Sequence, residues 1–382
     1  MTSNSSTSPT HQTAEPPPIA MCKTWKRPTS SLPRLQTSLL PNLIVIIFIL
    51  YSYITTDITQ KTIVVRTQPL FPLQNTKEYK EPSPATVTGL NMSLIEHRFS
   101  ERRNFLLRQC KDRSKWKEHV LKDSPFEIVK RCNVLQAYKV LYCHVLKSGV
   151  TSISNLLAHL YNHEEILKSG QMYKILTVLQ PTRQRLKEAM NSKRFLRFFV
   201  ARDPLSRLLS GYLNRIKNTD NRSYQRRHWG PLILGYTRGL RQRDVAYPNK
   251  TLYIIPTFEE FARYLASQNP RNFDPHWLPI GFQCGVCKYN YTHIAHLETF
   301  SEDIKYIIRV TGIDKGVDMA KINLRQNVGK ENTSKVLKKY YATLDTKTLQ
   351  KIVDIYKDDF KLFGYDPSQM LKEISPNVTI KF

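Results

Sequence analysis

The chain has 382 residues, of which 41% are hydrophobic and only 13 are glycine. That composition supplies a substantial buried core and excludes a collagen-like or wholly disordered chain. Lysine and arginine number 58 against 31 acidic residues, a formal charge of +27. Such an excess favours a polyanionic partner: nucleic acid, an anionic membrane surface, a phosphorylated ligand or an acidic polysaccharide.

Residues 1–38 are rich in Ser, Thr and Pro and read as a disordered tail. Residues 39–55 read as a transmembrane signal anchor. Leu39 to Ile54 carry no charge, Lys23, Lys26, Arg27 and Arg34 precede them, and the first acid beyond is Asp57, which orients the N-terminus to the cytosol. The polar lead is too long for an ordinary signal peptide, and a core helix would show a polar face. The short span suits the thinner membranes of the early secretory pathway. Residues 56–96 read as an extended lumenal stem, and 97–382 as the folded lumenal domain.

Sequons at Asn91, Asn221, Asn249, Asn290, Asn332 and Asn377 agree with a secretory route, and a lumenal location excludes nucleic acid as the basic domain's partner. Beyond the anchor lie Cys110, Cys132, Cys143, Cys284 and Cys287, an odd number that leaves at least one thiol free or bonded to another chain. Cys284 and Cys287 have the spacing of half a zinc site, but no second C-x-x-C or close His pair completes it. Structural disulfides and no metal are expected.

VLQAYKVLYCHV (134–145) and FLRFFV (195–200) read as strands, each followed by a helical pattern. This alternation predicts an α/β fold with a central parallel sheet flanked by helices. After the first strand, Ile153, Leu156, Leu157 and Leu160 recur at helical spacing, so a helix begins just behind Thr151 and Ser152. Its N-terminus points at the turn Lys147-Ser148-Gly149-Val150, where unpaired N–H groups, the helix dipole and a lysine would hold an anion. The same residues also describe a plain capped turn, and the nucleotide-triphosphate motif G-x-x-x-x-G-K-[ST] is absent. The second strand leads into Arg202, Asp203 as N-cap and Pro204 at the first helical position, with Leu205, Leu208, Leu209, Tyr212 and Leu213 on one face. Arg202, Ser206 and Ser210 stand four apart, where an arginine fork and hydroxyls could hold a phosphate at the carboxyl end of a strand.

Together these segments resemble the 5'-phosphosulfate and 3'-phosphate loops of Golgi carbohydrate sulfotransferases, in the group containing the chondroitin/dermatan 4-O- and HNK-1-type enzymes. Tyr142, Cys143, Lys147 and Thr151 match the first loop, with Leu146 in place of the usual proline and Ser152 in place of asparagine. Phe199, Arg202, Asp203, Pro204, Arg207, Leu208, Ser210 and Tyr212 match the second. Phe258 to Phe261, His276-Trp277, Cys284 with Cys287, Tyr291, Leu297 to Thr299, Glu302-Asp303 and Tyr356 to Phe360 follow in the family's order, so the resemblance covers about residues 105–367.

The resemblance implies a P-loop-like sulfotransferase fold and a Golgi type II membrane protein. The reaction would be in-line transfer of a sulfuryl group from 3'-phosphoadenosine 5'-phosphosulfate (PAPS) to a sugar hydroxyl. The acceptor would be an acidic glycan, a glycosaminoglycan or glycoprotein glycan, with chondroitin/dermatan-type N-acetylgalactosamine 4-O-transfer favoured. A homodimer is compatible with it. Lys147 would stabilise the developing charge, with Ser148, Gly149, Val150, Thr151 and Ser152 around the 5' group. Arg202 and Ser210 would hold the 3'-phosphate, with Asp203, Pro204 and Arg207 also among the cofactor-binding residues and Arg207 either supporting the others or only packing.

The general base is open among His276, His144 and Glu298, while His159 and His163 read as helix surface. Arg222, Arg226, Arg227, His228, Arg238, Arg241 and Arg243 form either an acceptor surface or a solvated insertion. A catalytically inactive binding protein is the principal alternative. A metal-dependent type II glycosyltransferase is less favoured because no D-x-D triplet occurs.

Overall fold

Residues 134–145, expected as one strand, form parts of two. In the computed structural model, which describes residues 91–111, 125–217, 223–245, 254–322, 324 and 333–374, strand β1 (Cys132–Leu135) pairs antiparallel with β2 (Val140–Cys143). The reversal falls at the polar interruption of the apolar run: Gln136–Tyr138 form a 3-10 turn and Lys139 takes a left-handed φ of 51°. The expected tail, anchor and most of the stem lie outside the described residues, among which no helix is long and apolar enough to cross a membrane.

The described part begins with α1 (Met92–Lys111), ahead of residue 97 where the domain was expected to start. After β2 come α2 (Val150–Leu160) and α3 (Arg183–Asn191), then β3 (Leu196–Ala201) and α4 (Pro204–Tyr212). The chain continues through α5 (Tyr224–Arg238), α6 (Phe258–Ser267), α7 (Ile280–Cys284) and β4 (His293–His296), followed by α8 (Phe300–Thr311), α9 (Thr333–Tyr341) and α10 (Thr346–Phe363). The sheet order is β1-β2-β3-β4; β2, β3 and β4 run parallel and β1 alone is antiparallel. The fold is therefore mixed α/β with a central, mostly parallel sheet flanked by helices, and the carboxyl ends of β2, β3 and β4 open on one edge.

Alternation along the strands assigns each face its own core. Tyr142, Phe198, Val200 and Ala295 face α1, α2 and α8, packing with Phe99, Leu157 and Ile304. Leu141, Cys143, Phe199 and Ile294 face the opposite way, against Leu186, Ile280 and Phe363. A third cluster, centred on Trp277, joins α4, α6, α9 and α10 through Leu208, Phe261, Tyr341 and Tyr356. Disulfides Cys110–Cys287 and Cys143–Cys284 tie α1 and the end of β2 to α7 and the turn after it; Cys132 is buried and takes part in neither. The odd cysteine is thus accounted for within the chain, and among the described residues no His/Cys/Asp/Glu group could hold a metal.

Asp303, in the first turn of α8, is fully buried and accepts from Arg98 Nη2 at 2.8 Å, Arg102 Nη1 at 2.7 Å, Thr299 Oγ1 at 2.6 Å and the His296 N–H at 3.0 Å. One carboxylate thereby fastens α1 to the turn between β4 and α8. That turn delivers Phe300, whose ring lies against Gly149. A Cβ at Gly149 would come within 2.3 Å of Phe300 Cε2, and its φ of +78° already favours glycine.

Asp303→Ala leaves Arg102 half-buried without its carboxylate and Arg98 with Glu302 alone, and is expected to cost about 3 kcal/mol of stability, read from urea unfolding. Gly149→Ala combines a left-handed backbone with overpacking and is expected to cost about 2–4 kcal/mol in the same measurement. A midpoint unchanged in either variant would contradict the packing described.

Candidate active site

The turn after β2 is built from two left-handed residues, Lys147 (φ 70°) and Gly149 (φ 78°), with the Ser148 N–H bonded to Val145 O at 3.2 Å. Gly149 is the N-cap of α2 and offers no side-chain acceptor, so the helix's first N–H groups lack that cap. The Ser148 hydroxyl is buried without a hydrogen-bond partner. Thr151 is exposed on the first turn, whereas the side chains of Val150 and Ser152 are buried; Val150 has only its backbone to present. Leu146, the departure from proline, packs against the core on the α2 side of the sheet.

Arg202, leaving β3, donates from Nη1 to the Lys147 carbonyl at 2.9 Å. The two strand-turn-helix segments, foreseen as separate anion sites, meet here because β2 and β3 are neighbours in the sheet. Burial lowers the Arg202 pKa, against the opposing influence of Glu298 and Asp203. Ser206 and Ser210 stay half-buried on α4.

Three residues assigned to ligand contact shape the turn instead. Asp203 spends its carboxylate on the Ser206 N–H at 2.7 Å, capping α4, and Pro204 fills the first helical position. Arg207 is fully buried, donating from Nη2 to Leu278 O at 2.6 Å beneath the Tyr356 ring, since its place on α4 faces the core rather than the Arg202 side.

Lys147 Nζ donates to Asn214 Oδ1 at 2.9 Å. Burial pushes its pKa down to about 7, helped by the charges of Arg215 and Arg202. Asn214 and Arg215 belong to a π-helical turn, Leu213–Lys217, that continues α4. Arg226 clamps this turn, donating to Ile216 O at 2.7 Å and to Lys217 O, and Ser223 Oγ donates to Arg215 O at 3.2 Å.

Arg215 Nε donates to His276 Nε2 at 2.9 Å, while His276 Nδ1 lies 2.6 Å from Asp274 Oδ1. A guanidinium only donates, so Nε2 accepts and the neutral imidazole carries its proton on Nδ1, toward Asp274. Gln225 Nε2 holds the second Asp274 oxygen at 3.2 Å. Burial lowers the His276 pKa, Arg215 and Lys147 lower it further, and Asp274 opposes them. Gly211 allows this placement, since a Cβ there would lie 3.0 Å from the His276 carbonyl.

The other proposed bases stand elsewhere. His144 is buried with Nδ1 3.2 Å from Asn133 Oδ1, and burial pushes its pKa down to about 3. Glu298 accepts from the Asp203 N–H at 3.3 Å and from Tyr365 OH at 2.8 Å, which makes it a buttress of the Arg202 turn. His159 lies in the last turn of α2 and His163 caps the next helix. Sequence reasoning missed Asn214, Arg215, Asp274 and Gln225. Of these, Asn214 and Arg215 lie inside the segment that carries Arg202, and Asp274 stands two residues before His276.

The basic segment is largely engaged within the fold. Arg226 holds the π turn, Arg238 pairs with Glu260 at the capping box of α6, and Arg241 and Arg243 face Asp244. Arg227 and His228 are exposed, and Arg222 lies outside the described residues.

A model of the sulfotransferase family matches residues 130–366. Carbohydrate sulfotransferase 10 of Gallus gallus is 27% identical over 308 residues, 76% of this chain and 81% of that protein. Carbohydrate sulfotransferase 14 of Danio rerio is 27% identical over 232 residues, and the match spans 60% of each chain. Carbohydrate sulfotransferase 9 of Homo sapiens is 25% identical over 308 residues, 74% of this chain and 65% of that protein. No solved structure matches. The family match takes in both strand-turn-helix segments, the π turn and the Asp274–His276 pair, and the chain belongs to the sulfotransferase family.

Proposed function

We propose that the protein transfers a sulfuryl group from PAPS to a hydroxyl of an acidic glycan, with chondroitin/dermatan-type N-acetylgalactosamine 4-O-transfer favoured. The observation that carries the reading is the meeting of Lys147, Arg202 and Arg215 beside a helix N-terminus with no side-chain cap: burial, and then repulsion from the two arginine charges, depresses the lysine's pKa. An anionic ligand relieves that repulsion. The buried, unpartnered Ser148 hydroxyl fits a phosphate-like oxygen at the same turn. The names of the relatives support a carbohydrate as acceptor.

PAPS, when bound, supplies a sulfuryl group whose bond to the phosphate breaks as a bond to the acceptor oxygen forms. Lys147 neutralises negative charge at the turn, the α2 N-terminus and Ser148 donate to the same region, and Asn214 aims the ammonium. Arg202 binds anionic oxygens while fixing the Lys147 carbonyl. His276 takes the acceptor's proton at Nε2 once Arg215 turns away from it, and Asp274 steadies the imidazolium through Nδ1. Two disulfides and the exposed sequon residues Asn91 and Asn290 support a Golgi-lumenal domain on a type II anchor.

Full-length protein, labelled PAPS and a panel of desulfated chondroitin, dermatan, heparan precursor and glucuronyl-lactosamine glycans test the reading. Transfer to one of them is expected, with Lys147→Ala losing at least about 100-fold in kcat and His276→Ala about 100- to 10,000-fold. Transfer that survives Lys147→Ala would sink the mechanism. Folded protein that binds nucleotide and sulfates no glycan would favour the inactive binding protein.

Protonation gives an independent check. Lys147 sits near pKa 7 in the free protein, and a bound phosphate returns it toward its ordinary value of 10.5. Between those values the complex holds more protons than the free protein, so affinity for 3',5'-adenosine bisphosphate falls as pH rises through the window. Calorimetry at pH 8 in buffers of different ionisation enthalpy should register uptake of about one proton, absent in Lys147→Ala. Equal uptake by the variant would assign the proton elsewhere.

A further inference from the structure

Tyr224, His228, Leu232 and Tyr236 recur every four residues along α5 and all are exposed, with Tyr224 at 60%, Leu232 at 45% and Tyr236 at 54%. At about 1.5 Å of rise per residue the row is roughly 18 Å long. Exposed aromatics in one file on a helix are costly to leave in water and mark a contact surface. We propose that this row is the docking strip for the carbohydrate acceptor, an inference that rests on the sulfotransfer reading above.

The strip begins at the site. Ser223 and Gln225, the neighbours of Tyr224, hold the Arg215 carbonyl and the Asp274 carboxylate respectively. One turn on, Trp229 meets Trp277 edge-on at 5.6 Å, directly behind His276. A chain lying along α5 therefore reaches the imidazole at the helix's N-terminal end. The buried side of α5 is fixed by Arg226, Ile233 and Leu234, so the exposed file presents a rigid face.

The chemistry suits a sugar. The Tyr224 and His228 rings are stacked, 5.3 Å apart and 7° from parallel, forming a flat platform. Its electron-rich face attracts the polarised C–H groups of a pyranose, as aromatic faces attract positive edges. Arg227, exposed beside the platform, supplies a fork for a uronate carboxylate. Exposed rings with one cation beside them match a hydroxyl-rich acidic chain better than a protein helix, which would need a continuous apolar groove.

The test titrates full-length protein with a chondroitin hexasaccharide and, separately, with 3',5'-adenosine bisphosphate. Tyr224→Ala/Tyr236→Ala is expected to weaken hexasaccharide binding at least tenfold, and Arg227→Ala severalfold, with nucleotide affinity unchanged; Tyr224→Phe retains binding. In transfer assays the double variant should raise the acceptor KM and leave the PAPS KM alone. Wild-type protein that does not bind the hexasaccharide, or a double variant that binds it as well as wild type, overturns the proposal. Hexasaccharide bound through the strip without sulfate transfer would remove the sulfotransfer reading and leave the docking strip standing.

Discussion

The site depends on one hydrogen bond, from Arg202 Nη1 to the Lys147 carbonyl. Parallel pairing sets β2 beside β3, so their carboxyl ends deliver two turns to the same edge, but pairing alone does not fix how far apart the turns stand. The arginine does. It anchors the backbone of a lysine whose φ of 70° is unfavourable for a branched-at-Cβ or long side chain alike, and so holds the ammonium toward Asn214. A guanidinium that locks its neighbour's backbone and has donors to spare cannot be exchanged for lysine without loss of the fork.

Around this bond the support comes from far along the chain. Glu298 meets the Asp203 N–H and Tyr365, and the same turn sends Phe300 against Gly149. Asp303 fixes that turn to α1, which precedes the region matched by the family model yet carries Arg98, Arg102 and the Cys110 end of a disulfide. The helix ahead of the matched region is thus part of what positions the anion site, through a buried carboxylate with four donors.

What could be read in the sequence follows the range of the forces involved. The Asp203-Pro204 helix start and the FLRFFV strand obey local rules of capping and periodicity, and the structure has them at those residues. The VLQAYKVLYCHV run was misjudged because β propensity does not announce a left-handed Lys139. Arg207 and Arg226 looked like available cations, but one faces the core from α4 and the other caps the carbonyls of the π turn. Asn214, Arg215, Asp274 and Gln225 carry no spacing signal at all. They come together because a π turn re-aims two side chains by tertiary contact, and no local pattern encodes that.

The same geometry explains why gathering these charges has a cost. Lys147 lies beside Arg202 and Arg215 in a partly desolvated cleft, and burial first, then the two arginine charges, lower its pKa. The Asp303 network, the two disulfides and three apolar clusters hold the surrounding fold together. In the proposed reading an anion held between these groups would relieve the repulsion, contributing to affinity and, where charge grows during the reaction, to rate. On this view Leu146 is no defect. Proline would stiffen the approach to Lys147 through its ring, whereas the partly buried leucine anchors the same approach by packing against the core on the α2 side of the sheet.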